Sequence, residues 1–158
     1  MITSFENDKQ KIDNVDLGEN VRLGNFINLY GCKIGNNTKI GAFVEIQKNV
    51  EIGENCKIQS HTFICEGVKI GNGVFVGHNV SFINDKHPKA MNDDGKLITN
   101  EWNLITTTVE DNVSIGTSAT VMGGVSLCTG AVIGAGSVVI TDIPAGATAV
   151  GNPARIVK

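Results

Sequence analysis

Aromatic residues, prolines and long apolar runs are all scarce in this sequence. Aromatic side chains make up 5% of the 158 residues, and 3 prolines stand against 19 glycines. A core must therefore be built from aliphatic side chains, and so many glycines favour repeated tight corners over a helix bundle. No apolar run approaches the ~20 residues of a membrane-spanning helix. Residues 1–11 are too polar for a secretory signal, so neither membrane insertion nor secretion is expected.

An excess of positive charge is missing as well. The chain has 13 basic and 16 acidic residues and a formal net charge of −3, which argues against non-specific binding to nucleic acid. Its cysteines form no C-x-x-C pair and lack the spacing of metal ligands. A reduced, cytoplasmic setting is therefore expected.

What the sequence has in abundance is a repeat of six residues. Large apolar side chains return at this interval without a miss through the first half of the chain, and the spacing resumes after a break. A helix has 3.6 residues per turn and would scatter such anchors around its surface, whereas a short strand followed by a corner accommodates the period. The anchors before the break are Ile34, Ile40, Ile46, Ile52, Ile58, Ile64, Ile70, Val76 and Phe82, and those after it are Val109, Ile115, Val121, Leu127, Ile133 and Val139.

The residues around each anchor predict a three-sided coil. A small or β-branched residue stands two positions before the anchor, as at Thr38, and glycine often follows it directly, as at Gly35. Three hexads then close one triangular coil, and stacked coils pair through parallel backbone hydrogen bonds about 4.8 Å apart. The predicted columns are Ile34, Ile52 and Ile70 on one face, Ile40, Ile58 and Val76 on the second, and Ile46, Ile64 and Phe82 on the third.

Cysteines occupy two kinds of position in this repeat. Cys32 and Cys56 take the small slot before an anchor and are predicted to pack inside. Cys65 and Cys128 come directly after an anchor, where a side chain is expected to face outward.

One long interruption divides the repeat. The spacing stops near Asn84 and resumes near Val109, and Phe82, Ile83 and Trp102 are expected to anchor the ends of the loop. A long loop without a period of its own is usually functional. The prediction is one all-β domain over residues 1–158, with about six coils at about 15–83 and 108–141, an extruded loop at about 84–107 and a C-terminal segment at 142–158.

The hexads resemble those of the hexapeptide-repeat acyltransferases, a family of left-handed parallel β-helices, and the predicted handedness comes from that resemblance. The similarity runs from Val15 to Lys158. Near its end, Asp142-Ile-Pro-Ala-Gly146 and the Gly-Asn-Pro-Ala-Arg run that ends at Arg155 look like the closing segment of the acetyl-CoA-dependent members. The resemblance implies an acetyl-CoA-dependent acyltransferase.

A narrower resemblance concerns the start of the loop. The stretch from Gly77 to Ala90, which includes Phe-Ile-Asn and then His-Pro, looks like N-acetyltransferases that act on UDP- or dTDP-linked amino sugars. Their substrates are 3-amino-deoxyhexoses or hexuronates for surface polysaccharides. The His-Pro pair also resembles the maltose and galactoside O-acetyltransferases, in which the histidine is a general base. A third reading, of another class, is a non-catalytic or metal-binding hexapeptide protein. The long polar loop and the Gly-Asn-Pro-Ala-Arg ending speak against it.

Three residues of the loop are catalytic candidates. Asn84 stands where the coil gives way to the loop, and the resemblance implies that its amide holds the acceptor amine or the thioester, the alternative being a turn cap. His87 is a candidate general base because an imidazole titrates near neutral pH, the alternative being an exposed loop histidine. Asp85 would orient the base or bind the acceptor amine, or is a solvated acid.

Three further residues are candidates for binding the acceptor between subunits: His61, Glu66 and His78. Solvent-facing or structural roles are the alternative. Histidines hold zinc in the γ-class carbonic anhydrases that share this fold. Here His61 and His78 occupy different phases of the hexad and would not stack, so no metal site is expected.

Acetyl-CoA is expected on the later coils. Gly116, Gly134 and Ala135 have little or no side chain, so an extended pantetheine can approach the main chain. Arg155 and Lys158 can meet the nucleotide phosphates, although for Arg155 a plain surface charge is the alternative. The resembling enzymes are homotrimers with active sites between subunits, and the same assembly is expected here.

Overall fold

The computed structural model describes residues 2–99 and 103–158, and it is built from short strands and turns. These ranges contain no helix, and therefore none long and apolar enough to cross a membrane. The strands are β1 Ile2–Asn7, β2 Gln10–Leu17, β3 Arg22–Leu23, β4 Ile27–Tyr30, β5 Lys33–Ile34, β6 Lys39–Ile40, β7 Glu45–Ile46, β8 Glu51–Ile52, β9 Lys57–Ile58, β10 Phe63–Ile64, β11 Val68–Ile70, β12 Phe75–Val76, β13 Ser81–Phe82, β14 Thr107–Val109, β15 Ser114–Ile115, β16 Thr120–Val121, β17 Ser126–Leu127, β18 Val132–Ile133, β19 Val138–Val139, β20 Thr148–Gly151 and β21 Ala154–Ile156.

These strands form the three faces of a left-handed parallel β-helix, as predicted. The first face stacks β2, β5, β8, β11, β14 and β17, the second stacks β3, β6, β9, β12, β15, β18 and β20, and the third stacks β4, β7, β10, β13, β16 and β19. The first half of β2 also pairs with β4, so this strand contributes to both the first and the third face. In the described part of the chain the second face thus has seven parallel strands, and the expected number of about six coils is too low. The shortfall arises because pairing starts at β2 and continues into β20, where the hexad spacing is no longer regular.

The register confirms the predicted columns. Ile34 and Ile70 both pair with Ile52 on the first face, and Ile46 pairs with Ile64 on the third. Ile40, Ile58 and Val76 are likewise in register on the second face. All of these side chains are buried, so the six-residue period encodes three continuous aliphatic columns along one core.

Two kinds of corner residue make this spacing of coils possible. Gly35 follows its anchor, and a Cβ there would lie 2.6 Å from the backbone carbon of Gly53 in the next coil. Glycine is therefore needed for close approach at this position. The left-handed conformation falls two residues later, on asparagines such as Asn37 at φ 57° and Asn55 at φ 58°, a residue type that tolerates it.

The cysteines follow the prediction at two positions and depart from it at a third. Cys32 and Cys56 are buried, as expected. Cys65 is also buried, at 2% exposure, so the expectation that it faces outward is wrong. The long loop returns at the same corner, where the Leu104 side chain packs close to Gly67, two residues after Cys65. Cys128 is half-buried.

The long loop leaves the coils after β13 and rejoins them at β14. It has some structure of its own, because Met91 forms an antiparallel bridge with Leu97, and the Ile98 amide donates to the Ala90 carbonyl oxygen at 3.0 Å. Trp102, expected to anchor the loop, lies outside the described residues. At the chain ends, β1 pairs with β2 and β20 with β21 in antiparallel hairpins.

Candidate functional site

The side chain of Asn84 is held in place where the loop leaves the coils. This residue is buried, at 8% exposure, and stands two residues after the end of β13. Its side-chain Nδ2 donates to the backbone carbonyl oxygen of Glu66, one coil below, at 2.9 Å. This bond fixes the orientation of the amide, and no donor among the described residues bonds its Oδ1. Asn84 therefore presents a positioned acceptor where the loop begins.

A polar ladder runs below Asn84 along the corner from which the loop emerges, which we call the loop corner (residues 47–50, 65–68, 83–106 and 122–125). Glu66 is the top of this ladder, and its side chain is 13% exposed. Its carboxylate accepts from Asn49 Nδ2 at 2.8 Å and lies 3.7 Å from the Lys48 ammonium. The Glu66 amide donates to Gln47 Oε1 at 3.1 Å. The base on which Asn84 rests is thus fixed on several sides.

The ladder continues onto the third face through residues that the sequence did not single out. Gln47 Nε2 and the Tyr30 hydroxyl both approach Glu45 Oε1, at 3.4 and 3.5 Å. Burial, and next the nearby Glu45 carboxylate, raise the pKa of Tyr30. Tyr30 therefore stays a neutral donor to Glu45 at physiological pH. Glu66 and Asn84 stand 18 residues apart and could be aligned by counting, whereas Gln47 and Glu45 stand at other positions of the hexad and gave no such signal.

A pair of glycines in the coil above lets the chain close over Asn84. A Cβ on Gly123 would lie 2.8 Å from the Ile83 carbonyl oxygen and 3.3 Å from Asn84 Cα. The amide of Gly124, at φ 83°, donates to Thr107 Oγ1 at 3.3 Å. This is the one Gly-Gly pair in the sequence, and it marks the coil above Asn84 as a departure from the repeat.

The loop itself forms a cleft beside this corner. Asp85 Oδ1 accepts the backbone amide of His87 at 2.8 Å, so in this structure Asp85 shapes a turn and does not touch the imidazole. The His87 side chain is exposed. The cleft has a volume of about 440 Å³ and is lined by Asp85, Lys86, His87, Lys89, Ile98, Asn103 and Ile105.

His61 and His78 lie at a different corner of the same protomer from Glu66. We call this the histidine corner (residues 41–44, 59–62, 77–80, 116–119 and 134–137). His78 Nδ1 is 2.8 Å from the Ser60 hydroxyl, and the His61 ring stacks on Phe43 with the ring centres 4.7 Å apart. Within one protomer the three acceptor-binding candidates thus do not share a site. In the described part of the chain, no group of three or more His, Cys, Asp or Glu residues is placed to hold a metal ion.

The cofactor-binding candidates lie along the histidine corner and the chain end. Gly116 and Gly134 donate their amides to the carbonyl oxygens of Ile133 and Ala149, at 2.8 and 2.9 Å, so the coils already use these donors. Ala135 is exposed at the same corner. At the end of the chain, the exposed Arg155 lies on β21, and the backbone oxygen of Lys158 accepts the Thr148 amide at 2.8 Å.

Comparison with known proteins identifies the repeat. The family model described as bacterial transferase hexapeptide (six repeats) matches residues 31–66 and 106–141, the coils on either side of the loop. The coils on either side of the loop are thus hexapeptide repeats.

Solved structures agree with this assignment at the level of the fold. A variant of AntD, an N-acyltransferase from Bacillus cereus crystallised with dTDP and coenzyme A, superposes with a TM-score of 0.74 at 21% identity, covering 90% of this chain and 83% of that one. A hexapeptide-repeat acetyltransferase from Vibrio cholerae, complexed with acetyl coenzyme A, gives a TM-score of 0.58 at 22% identity, covering 89% of this chain and 68% of that one.

A shorter match has higher identity. The 2,3,4,5-tetrahydropyridine-2,6-dicarboxylate N-acetyltransferase of Clostridium perfringens is 48% identical over 50 residues. Those residues are 32% of this chain and 21% of the length of that protein. The match is therefore too short to carry the activity of that protein over to this chain.

Proposed function

We propose that this protein is an acetyl-CoA-dependent N-acetyltransferase whose acceptor is the amino group of a UDP- or dTDP-linked amino sugar, a 3-amino-deoxyhexose or hexuronate used for surface polysaccharides. The observation that carries the proposal is the buried amide of Asn84, held by the Glu66 carbonyl oxygen at 2.9 Å where the loop leaves the coils. Support comes from the hexapeptide repeat and from the fold shared with AntD, an N-acyltransferase crystallised with dTDP and coenzyme A.

Asn84 is suited to position an amine. Its Nδ2 is committed to Glu66, so Oδ1 is the atom that accepts an N–H from the acceptor and turns the nitrogen lone pair towards the thioester carbonyl. The new C–N bond forms as the C–S bond breaks, and the thiolate that leaves takes up the proton lost by the nitrogen. A neutral amine is a good nucleophile, so the exposed His87 assists this proton transfer without being required for it.

Acetyl-CoA supplies the thioester, and the histidine corner suits its pantetheine arm. Gly116 and Gly134 let neighbouring coils approach closely, since a Cβ on Gly116 would meet the Ala135 backbone and one on Gly134 would meet Val150. Ala135 is exposed there and adds only a methyl group to the surface. The cations of Arg155 and Lys158 suit the nucleotide phosphates. Nothing in this arrangement calls for a metal ion.

The position of these groups favours a site between subunits. The loop corner with Glu66 and Asn84 and the histidine corner with His61 and His78 are different edges of one prism, so a neighbouring protomer is needed to bring one edge against the other. We therefore propose a homotrimer with three shared sites.

Mixing experiments test the shared site directly. Asn84→Ala and Arg155→Ala protomers, each impaired alone, should regain part of the wild-type activity when unfolded and refolded together, because some interfaces then combine two intact edges. A mixture in which tagged protomers co-purify but no activity returns argues against the shared site. So does a wild-type chain that sediments as a fully active monomer.

Substrate tests decide the reaction class. Release of coenzyme A thiol should be measured with UDP- and dTDP-linked 3- and 4-amino sugars, beside maltose and galactosides. Turnover with the amino sugars supports the proposal, and turnover with the plain sugars alone rejects it. Binding of acetyl-CoA without turnover of any acceptor points to a non-catalytic protein.

A sugar or antibiotic O-acetyltransferase is the second candidate. It is favoured by one observation, the exposed imidazole of His87 at the edge of the 440 Å³ cleft. A hydroxyl is a poor nucleophile and needs a general base. In that case His87→Ala would abolish turnover, whereas amine acetylation would survive it.

A further inference from the structure

A column of three cations stands on the outer side of the second face. Arg22 pairs in register with Lys39, and Lys39 with Lys57, so the three side chains project outward from successive coils. All three are exposed. Since parallel strands lie about 4.8 Å apart, the charges form a straight row about 10 Å long.

This row is not neutralised within the protomer. In residues 2–99 and 103–158, the ion pairs are Lys48 with Glu66 and Lys69 with Glu51, and neither includes a member of the row. Like charges directly opposite one another on a sheet are destabilising. Repulsion between the three side chains therefore destabilises these coils, and no ion pair among the described residues offsets it.

The first face shows that such a cost is avoidable in this same repeat. Its outward positions on the corresponding coils alternate in sign, with Lys33 beside Glu51 and Glu51 beside Lys69. The last two form an ion pair at 3.7 Å. Placing three cations in a row on the second face is a departure from this arrangement, in a chain whose net charge is −3.

A cleft of about 350 Å³ lies beside the row, and its lining contains no carboxylate. The cations are joined there by a ladder of asparagines at the adjacent corner, and Asn20 Nδ2 donates to Asn37 Oδ1 at 3.3 Å. The nearby Glu54 carboxylate accepts from Asn36 at 3.1 Å. The lining residues are Asn20, Arg22, Asn37, Lys39, Asn55, Cys56 and Lys57.

We propose that this strip, defined as Arg22, Lys39 and Lys57 with the asparagines beside them, binds a linear chain of phosphate groups. The guanidinium and the two ammonium groups carry only donors, and the NH2 groups of the asparagine amides add further donors beside them. A single phosphate meets one or two rungs, whereas a phosphate chain meets all three and relieves the repulsion between them. The inference does not depend on acyl transfer, because the strip lies on another face, on the three coils below the one that releases the loop.

Calorimetric titration of the full chain with sodium tripolyphosphate at low ionic strength tests the strip. Lys39→Gln removes the central charge and should weaken binding about tenfold, as expected for one charge-assisted contact. Lys33→Gln is the matched control, because it makes the same change in net charge on the first face, and binding should be unchanged. Without the anion, Lys39→Gln should melt no lower than the wild type, since it relieves repulsion.

Two further measurements identify the source of the phosphate chain and allow for the case in which Lys39→Gln does not fold. A nucleoside triphosphate that binds more tightly than tripolyphosphate points to a nucleotide, and equal or weaker binding points to inorganic polyphosphate. Lys57→Gln repeats the test if Lys39→Gln fails to fold. The proposal is overturned if Lys33→Gln and Lys39→Gln weaken binding equally or if orthophosphate binds as tightly as tripolyphosphate. It is also overturned if Lys39→Gln changes the sedimenting mass, because a second copy of the chain would then cover the strip.

Discussion

Replacing Asn84 separates its structural contribution from its proposed chemical one. In Asn84→Ala the Glu66 carbonyl oxygen loses the donor that approaches it at 2.9 Å. Leaving such a buried acceptor unpaired costs about 1–3 kcal/mol. At roughly 2–4 °C per kcal/mol for a domain of this size, the melting temperature should fall by about 2–12 °C. The variant should therefore remain folded at room temperature.

Its activity should fall much further than its stability. If Oδ1 of Asn84 positions the attacking amine, its removal should lower kcat/KM by about 10²–10³, the usual loss for one group aimed at the reacting atoms. The assay is release of coenzyme A thiol at a temperature where calorimetry shows both proteins folded. Asn49→Ala is the matched control, because it removes another amide bonded to Glu66, at 2.8 Å, but on the coil below Glu66 and so two coils below Asn84. A kcat/KM for Asn84→Ala equal to that of the Asn49→Ala control would refute the assignment.

Two further substitutions, a thiol titration and the pH dependence of stability test the surroundings of the site. Gly123→Ala places a Cβ 2.8 Å from the Ile83 carbonyl oxygen and should lower both kcat and the melting temperature; Gly130→Ala, with nothing within 4 Å of its Cβ, should spare kcat. His87→Ala should reduce amine acetylation by about tenfold or less, since general-base help contributes most for poor nucleophiles; abolished turnover would make His87 the essential base. Burial raises the pKa of the Cys65 thiol to about 12, so at pH 8 Ellman's reagent should titrate only Cys128 in the native protein and all four thiols in denaturant. Rapid native reaction of Cys65 would contradict its burial. Because the native thiol keeps its proton where the unfolded one ionises, stability should also fall as pH rises above about 9.

The sequence predicts the coils well and the site only in part. Anchors six residues apart define which side chains share a column, so the pairing of Ile34 with Ile52 and of Ile46 with Ile64 follows from counting. Counting fails where the period stops. Cys65 is buried at the corner where Leu104 of the returning loop packs close to Gly67. The loop has no repeat, so that contact could not be predicted by counting. The contact of Asn84 with Glu66 spans 18 residues, one full coil, and was in principle countable.

A solenoid of this kind separates the residues that hold the fold from those that are free to act. Each coil is stabilised by its inward anchors and by hydrogen bonds to the coils above and below it, so outward and corner positions vary without loss of the core. The chain uses this freedom unevenly: the first face alternates its charges, the second collects cations, and one corner releases the loop. Because the backbone at each corner repeats almost unchanged from coil to coil, departures from repetition are where function should be sought. Three such departures are Asn84, Gly123 and the row from Arg22 to Lys57. Each makes a contact or carries a charge that the geometry of the coil does not require.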